Sequence, residues 1–220
     1  MGFKITVGIL GHLKRCGDND QFIYFSEIFQ RLNQALQAEG HPTYKEPSHA
    51  NGDSWTVRME YIGLYYLKRL AAHIALYEEL PKPVYGEPFE EDNSFHTYID
   101  TLGLSAETHH FDHLLFHSDC LGFYLPVDFE TVIFPDIELE IPGDMIGSSY
   151  RLRDECRNIA KYLQLEGEFH FKPDEFLKAC EHPEGGALWQ QYPVESYVCI
   201  VLYQASLKSI QSGFAIVFHS

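Results

Sequence analysis

Residues 108–129, THHFDHLLFHSDCLGFYLPVDF, hold the densest polar chemistry of the chain and decide how its middle folds. Four of the twelve histidines, His109, His110, His113 and His117, stand there beside Asp112, Asp119 and Cys120. Imidazoles and carboxylates can ligate a metal, relay protons or hold a partner's charges, and the backbone conformation decides which of these is open. Wound as a helix, the run would stack His109, His113 and His117 on one face at four-residue steps. Drawn out as a strand, it would set His113 and His117 about 13 Å apart, too far to share an ion. The Leu and Phe content of residues 111–116 predicts a strand, followed by a turn at Gly122 and further strands at 123–129 and 132–134, broken by Pro126 and Pro135.

In that extended geometry His117 and Asp119 point the same way, about 7 Å apart along the chain, so that the carboxylate could orient the imidazole. With Tyr124 they form a candidate binding site. His113, His117 and Asp119 are the candidate set for a bound divalent metal, and no other cofactor is expected. A structural alternative stands beside this reading, with Asp119 capping the turn and His117 satisfied inside the sheet. Cys120, three residues from His117, falls on the opposite face of an extended chain, which argues against a thiol nucleophile with a histidine base. No residue is assigned a catalytic role.

Further along, Gly147, Ser148 and Ser149 precede a helical stripe of Leu152, Cys156, Ile159, Ala160 and Leu163. Free N–H groups and two hydroxyls at a positive helix end suit an anion, which makes Ser148 and Ser149 candidate binding residues. The same residues are also an ordinary way to cap a helix. Arg151 stands where a capping box would place Glu, but a serine cap needs no box.

Outward from this centre, Phe3, Ile5 and Val7 alternate as a half-buried strand, and 22–39 carries Phe25, Ile28, Phe29, Leu32, Ala35 and Leu36 at helical spacing. Residues 41–55 read as a loop before a helix with Leu64, Leu67, Leu70 and Ile74 on its buried side. Short helices are predicted at 95–102 and 173–180; residues 197–203 are β-branched enough for a strand, but Val194, Val198, Val201, Leu202 and Ala205 fit a helix that length favours and Gly213 would end, before a last strand at 214–218. The fold class is α+β, or mixed α/β, with a small central sheet flanked by about four main helices in one domain over 1–220.

At 45% hydrophobic and 15% aromatic, the 220 residues can bury a cohesive core. The formal charge of −16 repels phosphate, and nucleic acid is rejected as a partner. Acidic residues gather at Glu87, Glu90, Glu91 and Asp92 and again at Asp136, Glu138, Glu140 and Asp144, as solvated surface or as a docking face for a basic protein. Five scattered cysteines without a C-x-x-C pair suit reduced thiols in the cytoplasm. No apolar run is long enough for a membrane span, no membrane association is expected, and monomer and dimer both stay open. P-loop, dinucleotide and nucleophile-elbow signatures are absent.

The segment His117, Ser118, Asp119, Gly122, Tyr124, Pro126, Asp128 and Phe129, with the helix start Gly147, Ser148, Ser149, Leu152 and Glu155, resembles a family of uncharacterised bacterial single-domain proteins. The resemblance covers most of the chain but not His109 and His110. It implies a shared architecture and no activity. Two functions are weighed: an acidic, immunity-like module binding a basic protein, and a metal-dependent or acid/base enzyme using His117 and Asp119.

Overall fold

The computed structural model describes residues 2–47, 54–84, 93–101, 109–118, 120–165 and 186–219. A five-stranded mixed sheet runs in the order β2-β1-β5-β3-β4, built from β1 (Gly2–Val7), β2 (Trp55–Glu60), β3 (Gly122–Leu125), β4 (Ile146–Ser148) and β5 (Ile216–His219). Every pairing is antiparallel except β3 with β4. The helices are α1 (Ile9–Cys16), α2 (Asn19–Ala38), α3 (Tyr61–Tyr77), α4 (Ser94–Thr101), α5 (Asp112–Leu115), α6 (Ser149–Leu163) and α7 (Pro193–Ser212). This is the α+β architecture read from the sequence, with α2, α3, α6 and α7 as its main helices.

Side chains alternate across the strands and so build two cores. Phe3, Ile5, Val7, Tyr124, Ile216 and Phe218 face α3, α5, α6 and α7. Phe123, Leu125, Ile146 and Val217 face α1 and α2. Fully buried residues such as Leu32, Leu36, Leu67 and Leu70 each contribute roughly 1.5–3 kcal/mol through removal from water. The Asp18 side chain starts α2 by accepting the Gln21 N–H at 3.1 Å. Pro193 in the first turn and Gly213 at φ 75° bracket α7, which packs against both α3 and α6.

Residues 111–116 correct the sequence expectation, because the segment is a single helical turn and not a strand. Its apolar residues Phe111, Leu114 and Leu115 are buried as a strand's would be, so composition could not separate the two states. The turn is imposed from outside, since the Glu155 carboxylate of α6 accepts the N–H groups of His113 and Leu114 at 3.0 and 2.8 Å. Phe111 enters it at φ 89°, in the left-handed region that a bulky side chain occupies only when its surroundings demand it.

The expected strand at 123–129 shortens to β3, and 132–134 contributes only a bridge between Ile133 and Ile146. Strands β2 and β4 and helix α1 were not expected. The predicted helix at 173–180 lies outside the described residues.

Candidate functional site

Helix α5 is the centre of a buried polar cluster. His113 is almost fully buried; its Nδ1 accepts the Ser148 N–H at 3.0 Å and its Nε2 donates to the Glu130 carbonyl at 2.9 Å. That pairing fixes the neutral ring protonated on Nε2, and burial holds its pKa down to about 4. The Tyr124 hydroxyl donates to the His113 carbonyl at 2.8 Å. On the other side, Asp112 accepts the His109 N–H at 2.7 Å and the Tyr98 hydroxyl. Burial lifts Glu155 to about 8, while the two N–H groups it accepts pull it back toward the charged form.

His117 lies flat on the Tyr124 ring at 4.7 Å and 8° and leans on Phe218 at 4.1 Å. Its Nδ1 donates to the Ser118 carbonyl, and its own carbonyl accepts from the Lys68 ammonium. Nε2 is buried without a hydrogen-bond partner among the described residues, and it faces Gly122, where an added Cβ would come within 2.6 Å. Burial, then the Lys68 charge, lowers the pKa of His117 to about 3. A ring so enclosed has no path to a substrate.

Ser148 caps α6 by accepting the Arg151 N–H and donates its own hydroxyl to the Val127 carbonyl at 2.7 Å. Ser149 is bonded to Ser209 at 2.7 Å, again in the interior. His113, His117, Tyr124 and Ser148 are thus brought close to the α5 turn, whereas Ser149 turns to α7, and each is buried with a partner from the fold. Asp119 lies outside the described residues. Both nitrogens of His113 are engaged, and among the described residues no three His, Cys, Asp or Glu side chains converge as a metal would require.

The surface differs in kind from this interior. Asp128, Glu130, Asp136, Glu138, Glu140 and Asp144 are exposed along one segment between β3 and β4, and no Lys or Arg stands between Lys82 and Arg151. The segment is held in place, with Phe129, Ile133 and Ile141 buried and Ile133 and Ile146 exchanging hydrogen bonds at 3.1 and 2.8 Å. From α2, Arg31 reaches the carbonyls of Leu139 and Glu140 at 3.5 and 3.4 Å and the Glu140 carboxylate at 3.6 Å. Glu27 of α2 and Glu138 both line a groove of about 410 Å³. The carboxylates therefore sit on a fixed platform. In sequence the signal is the acidic cluster Asp136, Glu138, Glu140 and Asp144 within a long stretch free of basic residues.

Fold and surface together define a polyanionic α+β protein that, among its described residues, displays six carboxylates from an anchored segment between β3 and β4. A family model described as "Putative DNA-mimic protein" matches residues 1–218, and the chain belongs to that family. No curated protein and no solved structure matched it.

Membership corrects two expectations. The immunity-like module gives way to membership in a DNA-mimic family, and the histidine on which the enzyme alternative rests is buried in the core. Membership in a DNA-mimic family also overturns the rejection of nucleic acid from the partner question. Negative charge repels phosphate, but it is also what an imitation of phosphate requires. Among the described residues no helix is long and apolar enough to cross a membrane.

Proposed function

We propose that this chain is a DNA mimic that occupies the DNA-binding surface of a protein and keeps duplex DNA off it. The observation that carries this reading is the anchored run of carboxylates from Asp128 to Asp144, uninterrupted by any basic residue. Duplex DNA presents one negative charge per roughly 1.7 Å of its axis, and contacts to these charges supply nearly all non-specific affinity. A protein that displays carboxylates toward the same lysines and arginines competes for them without imitating any base. The overall charge of −16 also steers a basic surface into encounter. A compartment holding DNA-binding proteins, such as the cytoplasm, is where such an activity has use.

The experiment is a competition. Proteins held by the immobilised chain from its native lysate are released with excess duplex DNA, and each is then tested for DNA binding in a mobility-shift assay with the chain added. Loss of the shifted band, and its return when Asp136→Asn, Glu138→Gln, Glu140→Gln and Asp144→Asn are combined, is the expected result. Captured proteins that stay bound in excess duplex would overturn the reading.

A further inference from the structure

Among the described residues, the two most exposed large hydrophobic side chains are Ile137, 84% exposed, and Phe134, 59% exposed. They stand three residues apart in the most acidic part of the platform, with Asp136 between them and Glu138 and Glu140 just beyond. A single exposed apolar residue means little, since apolar atoms make up much of any protein surface. Two on one fixed segment, ringed by carboxylates, have the anatomy of a binding hot spot: an apolar anchor with a charged rim.

The geometry keeps them presented. Phe134 is propped edge-on against Phe116 at 5.5 Å, with Ile133 buried beside it. Ile137 opens the 3-10 turn Ile137–Leu139, which Asp136 caps by accepting the Glu138 N–H at 3.0 Å and which Arg31 tethers through the Leu139 carbonyl. Presentation on a tethered turn spares the ordering entropy that a loose loop would lose on binding.

Resting on the DNA-mimic reading, we propose that Phe134 and Ile137 dock into an apolar pocket that borders the phosphate-holding lysines and arginines of a DNA-binding protein. Charge complementarity selects that occupant, because carboxylates on the same segment exclude an acidic or purely apolar partner. A duplex turns phosphates and sugars outward and has no aliphatic or aromatic side chain to insert there. The anchor therefore gives the mimic an attraction that salt does not screen and that the duplex lacks.

The probe is the pool of native-lysate proteins retained on duplex DNA, passed over the full chain with association and dissociation rates recorded. Wild type is expected to hold a protein that excess duplex releases. Ile137→Ser should raise its dissociation rate on the order of thirtyfold with little change in association, and Phe134→Ala should act likewise. Glu138→Gln with Glu140→Gln should mainly slow association. Ile137→Ser leaves the fold intact, because the residue is almost wholly in solvent, and an unchanged melting temperature verifies this.

If duplex still releases the held protein and both apolar variants dissociate within about twofold of wild type, the anchor is refuted and the mimic reading stands. If no protein of the pool is held, or none is released by duplex, the mimic reading fails and takes the anchor with it.

Discussion

The Glu155 carboxylate takes the backbone N–H of His113 at 3.0 Å and of its neighbour Leu114 at 2.8 Å, so α6 dictates that α5 is a helical turn. Glu155→Gln keeps the shape but turns an amide group toward one of those N–H donors. The variant should lose about 1–3 kcal/mol in chemical denaturation, the cost of a buried donor left unpaired. Since burial raises Glu155 to about 8 from 4.5, its contribution is complete below 4.5 and is lost as pH rises through 8. The deficit of the variant should therefore be larger in mild acid than at alkaline pH.

Stability as a whole should peak on the acid side of neutrality. His113 and His117, lowered from 6.5 to about 4 and about 3, contribute fully above 6.5 and progressively less as pH falls through those values. Glu46, Glu155 and Glu195, raised by burial from 4.5 to about 7, 8 and 7, behave oppositely and lose their contribution as pH climbs through that range. In the overlap from 4.5 to 6.5 three glutamates outweigh two histidines, which puts the maximum toward its lower end. Melting temperatures followed across pH check this, and a maximum above pH 8 would refute it.

Gly122 sits at φ 138° with His117 Nε2 2.6 Å from where a Cβ would stand. Gly122→Ala should cost about 3 kcal/mol, from backbone strain and from displacing a ring already clamped by Tyr124 and Phe218. Denaturant titration measures the loss, and a change below about 0.5 kcal/mol would show that the ring can move.

Arg31→Ala removes the tether from the carbonyls of Leu139 and Glu140. Global stability should change by less than about 1 kcal/mol, since the ion pair is largely exposed. Local cleavage by a protease at 136–140 should quicken. Competition with duplex DNA should weaken, because the carboxylates would have to be ordered on binding.

Salt separates the mimic from what it imitates. Duplex DNA gains affinity from counterions released as its phosphates are neutralised, whereas the more widely spaced carboxylates of a folded protein condense no comparable layer. A DNA-binding partner should show a shallower dependence of log Kd on log salt with this chain than with duplex. Equal slopes would count against it.

The sequence revealed those elements whose pattern is local. The stripe from Phe25 to Leu36 is buried throughout, and Phe3, Ile5 and Val7 alternate as a strand should. Trp55, Val57 and Met59 carry the same alternation in β2, but Tyr61 and the helix follow with no break to mark the short run as a separate element. Residues 111–116 were illegible for a different reason. Their conformation is decided by Glu155, which lies 42 residues on and whose partners no local window contains. The candidate histidines stand out in sequence because imidazoles are scarce and reactive. The carboxylates were equally visible, but their meaning depends on being held still, which only Ile133, Ile141 and Arg31 in three dimensions disclose.

The order of the strands also has a bearing on how the molecule is made. Strand β5, near the end of the chain, is inserted between β1, near its start, and β3. During synthesis the two portions of the sheet have no strand to join them until residues 216–219 have emerged, so their facing edges stay unpaired until β5 is delivered. Loss of those four residues would cut the molecule along its middle instead of trimming its rim.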